Sequence, residues 1–460
     1  MPLPFSRHLP PSTDTAGPAR IDPNIIWAIA IPAMVTNVAT ALIGLGDMWV
    51  VARLNDAAVQ GAVDIGARLF AVLFTVMNFL KTGTTGLVAQ AGTRAGPVGA
   101  VTAQAEVLVR GLFVGLAIAA LLLATKPVLL PVMLAALGAE GEVLRAAQTY
   151  AEIRYWTAPA VMANLALIGF LVGQRRMTAV LVFEILYNLA NIALGLWFVL
   201  ALDFGIAGIG WSSFIAEYGK LALVAAFVFR GAVGAAVWTA VRQRTGIGWA
   251  ALRPFLSVNR DLFLRTVVLM LALAALTRLS AEQGAVVLAA NGILYQMFVL
   301  TALLLDGFEN AAQVLNGERF GARDRAGFVA VIRATLWRGF AAACVVALGF
   351  ALFADPLLAN FAATDAVAAA AQAQGGWLVV IPFAGVAGFV FDGVFVGSSW
   401  TRALLGTMLA AVVVYAAALW LTWPMGNTGL WLSFTAFLVA RAVAQALLLP
   451  RLLKTGFNPP

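Results

Sequence analysis

The sequence predicts an all-α integral membrane protein with twelve transmembrane helices arranged in two homologous lobes of six helices each. Hydrophobic residues make up 62% of the 460 residues and charged residues 11%, whereas a soluble chain carries about 25% charged residues. The mean hydropathy is +0.93. Apolar stretches recur along the chain, and each is close to the roughly 20 residues that a helix needs to cross a bilayer.

Short motifs that recur at a nearly constant distance indicate that the chain consists of two related halves. The offset is 223 to 225 residues for three pairs of segments: residues 92–96 with 317–321, residues 60–63 with 283–286, and Gly173 with Gly397. In a membrane protein, such internal repeats are typical of transporters whose binding site lies between the repeats.

Twelve apolar stretches are the candidate spans. In chain order they are 25–52, 58–91, 101–124, 150–173, 177–200, 205–229, 262–280, 284–314, 328–353, 376–398, 403–422 and 428–449. The predicted organisation is a disordered cytoplasmic tail (1–23), an N-lobe (24–230), a basic cytoplasmic linker (231–259), a C-lobe (260–452) and a C-terminal tail (453–460).

The placement of lysine and arginine predicts that both termini lie in the cytoplasm, because loops rich in these residues stay on that side. The predicted inner segments carry most of the basic residues, among them Arg94, Arg175, Arg230, Arg319 and Arg402. The net charge of +8 therefore follows from topology and requires no nucleic-acid partner. We expect a monomeric multi-pass protein of the cell (inner) membrane.

The scarcity of cysteine and histidine argues against a metal site, a cofactor or an enzyme. Cys344 is the single cysteine and His8 the single histidine, so an intrachain disulfide and histidine- or cysteine-based catalysis lack the necessary residues. A membrane-embedded transferase would need clustered aspartates or a catalytic histidine. The sequence has neither, and this class is the least favoured.

Five segments place polar or glycine-rich motifs in otherwise apolar spans. They are residues 32–47 (with Pro32, Asn37 and Asp47), 81–90 (KTGTTGLVAQ), 152–159 (EIRYWTAP), 305–308 (LDGF) and 391–397 (FDGVFVG). Together and in this order they resemble the DinF-like branch of the MATE (multidrug and toxic compound extrusion) transporters, over about residues 24–450. The resemblance implies a V-shaped fold of two six-helix lobes and export of compounds in exchange for protons or sodium ions.

Asp47 is the strongest candidate for the coupling residue. A carboxylate in a transmembrane helix costs at least ~2.5–3.5 kcal/mol at the bilayer centre, and burial favours its neutral form. Thr36 and Thr40 lie on the same helix face, and Pro32, which interrupts backbone hydrogen bonding, is a candidate bend. The resemblance implies that Asp47 is the proton or cation site. The alternative is a carboxylate satisfied near the outer interface.

Span five carries a polar stripe, Glu184, Asn188 and Asn191, on one face of an apolar helix. With Thr36, Asn37 and Thr40, these residues are the predicted lining of the substrate cavity. The two asparagines match a pair in the family, but Gly195 replaces an aspartate that many members carry, which weakens a sodium site. The alternative reading is that the asparagines only pack between helices.

Asp306 and Glu309 in span eight and Lys81 in span two are predicted to form an inter-lobe gate. Lys81 is the repeat equivalent of Asp306, 225 residues earlier, so we expect it to pair with Asp306 or Glu309 across the lobes. Pairing within one lobe, or snorkelling of Lys81 towards the interface, is the alternative.

Asp392 in span ten is a secondary cation site by resemblance. The glutamate that sodium-coupled members carry in span seven is absent, since only Arg265 and Arg278 are charged in residues 262–280. Protons are therefore favoured over sodium ions. The sequence thus predicts an exporter of lipophilic, often cationic, small molecules that is coupled to protons. A sodium-coupled relative and a flippase for a lipid-linked precursor are the alternatives.

Overall fold

The computed structural model describes the backbone of residues 22–51, 57–245 and 247–457, and their side chains except those of Pro23 and residues 40–60. Within these residues the chain is helical and contains no strand. The all-α class that the composition predicted is therefore confirmed.

Within the described residues, the predicted N-lobe contains eight helices, several of which continue one another as single spans. They are α1 (Pro23–Val51), α2 (Ala57–Met77), α3 (Phe79–Arg94), α4 (Gly96–Ala136), α5 (Gly141–Tyr155), α6 (Ala158–Gly173), α7 (Met177–Leu196, extended by a π-helical turn, Trp197–Ala201) and α8 (Gly205–Val228).

The predicted linker and C-lobe contain the other eight helices of the described part of the chain. They are α9 (Ala232–Gln243), α10 (Trp249–Glu282), α11 (Ala285–Gly321), α12 (Arg325–Phe361), α13 (Asp365–Gln372), α14 (Gly376–Gly397), α15 (Thr401–Thr422, followed by a 3-10 turn, Trp423–Met425) and α16 (Asn427–Phe457). The predicted linker thus consists of α9, which packs on α4, and the first turns of α10.

Ten helical segments of the described residues are long and apolar enough to cross a membrane. The pair α5 and α6 would form an eleventh span, bent by 49°. Helix α1 contributes a described apolar part, Asn24–Ala39, so the count of twelve and the cytoplasmic position of the termini stay predictions. Each of the ten segments overlaps one predicted span, because hydropathy alone locates such helices.

The internal repeat is visible in the turns that end α6 and α14. Arg175 and Ser399, 224 residues apart, both adopt left-handed backbone conformations, with φ of 62° and 58°. The next residue, Arg176 or Trp400, donates its backbone N–H to the carbonyl of Leu171 or Phe395, at 2.9 and 2.8 Å. This is the hydrogen-bonding pattern of a Schellman cap. The two halves therefore share this turn as well as the sequence motifs.

Candidate functional site

Helix α1 lies between the two lobes and packs against α7 of the N-lobe and α11 of the C-lobe. Gly307 permits the close approach of α1 to α11, since a Cβ there would lie 2.7 Å from the Ala30 carbonyl oxygen. The rings of Trp27 and Phe308 pack edge to face, 5.4 Å apart. Helix α1 therefore contacts helices of both lobes.

A hydrogen bond between Asn37 and Asp306 joins α1 to the C-lobe. The Asn37 amide donates to the Asp306 carboxylate at 2.7 Å and to the Leu303 carbonyl at 3.1 Å. The same carboxylate oxygen accepts from the Asn310 amide at 2.9 Å. The sequence analysis assigned Asn37 to the predicted substrate cavity and Asp306 to the predicted inter-lobe gate. In the structure the two side chains are hydrogen-bonded to each other.

The remaining predicted residues of α1 are only partly described. Helix α1 runs through Asp47 and Thr40, but the side chains of both lie outside the described residues. Thr36 donates its hydroxyl to the Pro32 carbonyl at 2.7 Å, and the helix continues through Pro32. The coupling role of Asp47 and the bend at Pro32 stay predictions.

The three residues of the polar stripe in span five contact two different helices, α1 and α8. Asn188 faces α1 and donates to the Ala39 carbonyl at 3.0 Å. Asn191 faces α8, where it accepts from the Ser212 hydroxyl at 3.4 Å. Glu184 also faces α8 and forms a buried 2.8 Å ion pair with Lys220. Of the three, Asn188 is the one bonded to α1 among the described residues.

Glu217 of α8 completes this buried polar group of the N-lobe. The Asn164 amide donates to its carboxylate at 2.7 Å. The sequence showed these charges, but it could not show that Lys220 would pair with Glu184, because the rotation of one helix against the next is set by packing.

Asp392 is fully buried and is surrounded by hydrogen-bond donors. Arg441 of α16 donates to its Oδ2 at 2.6 Å, and Arg265 of α10 bonds to the same oxygen. Gln445 donates to its Oδ1 at 2.5 Å. A cation at this predicted secondary site would have to displace these groups. Sequence reasoning missed Arg441 and Gln445, although an arginine inside an apolar span is a signal for a buried partner.

The lobes are joined at the end that carries the basic loops. Arg175 of the N-lobe forms a two-pronged ion pair with the Glu318 carboxylate of α11. The Thr93 hydroxyl donates to the Glu318 carbonyl at 2.8 Å. Gln90 donates to the Gly397 carbonyl at 2.7 Å.

Lys81 does not take part in this closure. No ion pair within 4.0 Å joins Lys81 to Asp306 or Glu309, all three of which have described side chains. The predicted gate residues are therefore not paired in this conformation, and Arg175 with Glu318 provides the ion pair between lobes instead.

Backbone-to-backbone packing at the same end leaves little space between the lobes. A Cβ on Gly86 of α3 would lie 2.7 Å from the Val396 carbonyl oxygen of α14. A Cβ on Gly317 of α11 would lie 3.0 Å from the Ala89 Cβ and 3.4 Å from the Gly86 carbonyl oxygen, both in α3. Helices α3, α11 and α14 therefore close this end of the molecule.

Among the described residues, no group of three or more histidine, cysteine, aspartate or glutamate side chains is arranged to hold a metal ion. Four buried or half-buried carboxylates of the described interior are bonded to arginine, lysine or amide donors, namely Glu184, Glu217, Asp306 and Asp392.

Comparison with known proteins agrees with this architecture. The MatE family model matches residues 32–197 and 262–421, one segment in each lobe. The chain is 31% identical over 437 residues to the DNA damage-inducible protein F of Escherichia coli (strain K12), covering 94% of this chain and 93% of that one. It is 25% identical to Protein DETOXIFICATION 44, chloroplastic, of Arabidopsis thaliana, covering 92% and 81%.

Solved structures of this family share the fold. A MATE transporter crystallised in the straight conformation superposes with a TM-score of 0.79 at 18% identity, covering 95% of this chain and 97% of that one. An outward-facing multidrug resistance MATE transporter of the MOP superfamily superposes with a TM-score of 0.77 at 18% identity, covering 95% and 97%. The chain therefore belongs to the MATE family of multidrug efflux transporters and is a homologue of the DinF protein.

Proposed function

We propose that this transporter exchanges external protons for lipophilic, often cationic, compounds from the cytoplasm by alternating access. The observation that carries the proposal is the position of α1, which is bonded to the N-lobe through Asn188 and to the C-lobe through the pair of Asn37 and Asp306. A single helix that contacts both lobes and carries a predicted proton site is suited to link protonation to lobe movement.

In the proposed cycle, a proton on Asp47 removes its negative charge and weakens the binding of a cationic substrate. Helix α1 then bends near Pro32. This movement breaks the hydrogen bond between Asn37 and Asp306 and releases the cargo outward. The closed end of the molecule carries Arg94, Arg175 and Arg319, so it is the cytoplasmic end in this proposal.

Protons are favoured over sodium ions as the coupling ion. A hard cation requires several oxygen ligands, and in the C-lobe the oxygens of Asp392 are already bonded to Arg265, Arg441 and Gln445. In the N-lobe, Gly195 stands where a second carboxylate would be needed. A proton needs only one carboxyl group.

The driving force limits the substrate gradient that such an exchanger can maintain. One proton entering down ~100 mV provides about 2.3 kcal/mol, which supports roughly a fifty-fold gradient of a neutral substrate. For a monovalent cation exchanged one for one, the voltage terms cancel and only the pH difference drives export.

The proposal also places the chain in the cell (inner) membrane as a monomer, with both termini in the cytoplasm. No enzymatic step and no cofactor other than the coupling proton enters the cycle.

The test is ethidium-driven proton release in proteoliposomes, comparing the native protein with Asp47→Asn. The expected result is loss of coupled transport in the variant. Asp64→Asn, which removes a surface carboxylate paired with Arg68, serves as the control and should transport normally. Ethidium export by Asp47→Asn against its gradient, at the native rate under a pH difference, would overturn the mechanism.

A further inference from the structure

A groove between the lobes lies beside the N-terminal part of α10. Its volume is about 530 Å³, and its walls are α3 and α4 of the N-lobe and residues 249–263 of α10. The walls meet where the rings of Phe79 and Phe263 pack edge to face, 5.7 Å apart. A Cβ on Gly83 of α3 would lie 2.6 Å from the Asn259 Oδ1 atom of α10, so the two helices are in close contact there. This α10 groove is therefore built from both lobes.

The α10 wall of the groove carries two arginines on one helix face. Arg253 and Arg260 are two helical turns apart, so their side chains project in the same direction, ~10 Å from each other along the helix axis. Both line the groove and both are exposed. Ser257 lies between them, is also exposed and supplies a hydroxyl donor on the same wall.

The charge of the groove is positive. Among the described residues, Arg253 forms no ion pair within 4.0 Å, and no acidic side chain lines the groove. Arg260 is bonded to the buried Asp261 carboxylate at 2.8 Å, which also accepts from the Thr401 hydroxyl at 3.3 Å. Asp261 therefore fixes the position of Arg260, and Arg253 gives the groove an unbalanced positive charge.

The rest of the groove lining is mainly apolar. Val114 and Ile118 of α4 form the N-lobe side together with the Phe79 ring, and Leu256 and Phe263 contribute from α10. A hydrocarbon chain can pack along such side chains by dispersion contacts. A groove with guanidinium groups and an apolar wall thus matches an amphiphile with an anionic headgroup.

The length of α10 places these arginines at the level of the lipid headgroups. In the predicted topology α10 ends on the outer side at Glu282. Phe263 lies 19 residues before that end, or ~28 Å along the helix, which is close to the ~30 Å thickness of the hydrocarbon core. Arg260 and Arg253 precede Phe263 and therefore lie beyond the hydrocarbon on the cytoplasmic side.

Exposed tryptophans beside the groove mark the same level. Trp249 lines the groove and is 71% exposed, and Trp238 of α9 is 69% exposed. Helix α9 packs on the core through Val233 and Val237, so its other face is left for the membrane surface. Tryptophan is enriched at the membrane–water interface, and an amphipathic helix of this kind lies in that plane.

We propose that the α10 groove binds one anionic phospholipid of the cytoplasmic leaflet. Arg253 and Ser257 bind its phosphate, Arg260 adds positive charge below them, and an acyl chain lies along Val114 and Ile118. Anionic lipids of this leaflet attract basic residues at the membrane surface. Because the walls of the groove belong to both lobes, the bound lipid stabilises their closed arrangement. This lipid is distinct from the exported compound, and its binding does not depend on the identity of the coupling ion.

Native mass spectrometry of the full-length protein in detergent, with added dioleoyl-phosphatidylglycerol, tests the site. The native protein should bind the first phosphatidylglycerol at least fivefold more tightly than dioleoyl-phosphatidylcholine, which has no net charge. Arg253→Gln should bind phosphatidylglycerol about fivefold more weakly than the native protein. The control Arg451→Gln removes an exposed arginine of α16 that does not line the groove and should bind as the native protein does. Native affinity in Arg253→Gln, an equal loss in both variants, or no preference for phosphatidylglycerol overturns the inference.

Ser257→Phe tests the groove without removing a charge, because its ring would occupy the space between the two arginines. It should also weaken phosphatidylglycerol binding, whereas native affinity in this variant overturns the inference. Inorganic phosphate at the same concentration should not compete with the lipid. Competition by phosphate would show a site for a free anion and overturn the assignment to a lipid.

Thermal unfolding tests the effect of the lipid on the lobes. At a phosphatidylglycerol concentration near the native dissociation constant, the Tm of the native protein should rise more than the Tm of Arg253→Gln. An equal rise in the two proteins contradicts stabilisation through the α10 groove.

Discussion

The ion pair between Arg175 and Glu318 gives a direct test of how the lobes are held together. The Arg175 side chain is 35% exposed and the Glu318 side chain 17% exposed. Solvent therefore screens the ion pair and limits its contribution to the stability of the closed form to about 1 kcal/mol. Loss of the pair in Arg175→Ala should therefore increase the population with separated lobes by up to about fivefold.

Reversing the charge at position 175 should increase the population with separated lobes more than removing the charge does. In Arg175→Glu an attraction is replaced by a repulsion of similar size, so the total change is about 2 kcal/mol. The open population should then rise by roughly thirtyfold. The exchanged variant Arg175→Glu with Glu318→Arg restores opposite charges and should return close to the native value.

The rate of maleimide labelling in detergent measures the open population. The reporter is Ser398→Cys in a Cys344→Ser background, since Ser398 is 1% exposed and adjoins Gly397 at the closed end. As long as the open state is the minor one, the labelling rate is proportional to its population. If the exchanged variant is labelled as fast as Arg175→Glu, or if Arg175→Glu is labelled no faster than the parent, the pair does not hold the lobes together.

Three further predictions follow from the described contacts. Gly86→Ala should destabilise the closed form by about 1–3 kcal/mol through overpacking, seen as lower thermal stability and faster labelling of the reporter. In the control Gly349→Ala, a Cβ meets no atom within 4 Å, so neither the thermal stability nor the labelling rate should change. Equal effects of Gly86→Ala and Gly349→Ala would contradict the packing argument. Asn37→Ala should lower stability in SDS titrations by about 1–2 kcal/mol, and Asn188→Ala by less, because the first amide bonds a carboxylate and the second a neutral carbonyl. The reverse order of the two losses would refute this assignment. Cys344 is exposed on α12, so a lipid-soluble maleimide should label it and a charged one should not, whereas rapid labelling by the charged reagent would contradict a membrane-facing position.

The helices could be predicted from the sequence because a bilayer imposes a length and a polarity on each of them. The predicted span 376–398 corresponds to Gly376–Gly397, and 177–200 corresponds to α7 with its π-helical turn, Met177–Ala201. Polar residues inside these apolar stretches are conspicuous, so Asp306, Glu309 and Asp392 were recognised as candidates.

The partners of these residues could not be predicted in the same way. Asp306 bonds to Asn37 rather than to Lys81, and Asp392 bonds to two arginines. Such pairings depend on how each helix is rotated and shifted against its neighbours, and these variables are set by packing over the whole lobe. The 225-residue repeat relates positions in the two halves, but it does not bring them into contact.

The contact between Gly86 and the main chain of Val396 lies between backbone atoms and involves no side chain of the predicted cavity. Where main chain meets main chain, the distance between the lobes is set without any side chain that could vary. Substitutions in the lining of the cavity can then alter which compounds are accepted while the shut position stays the same.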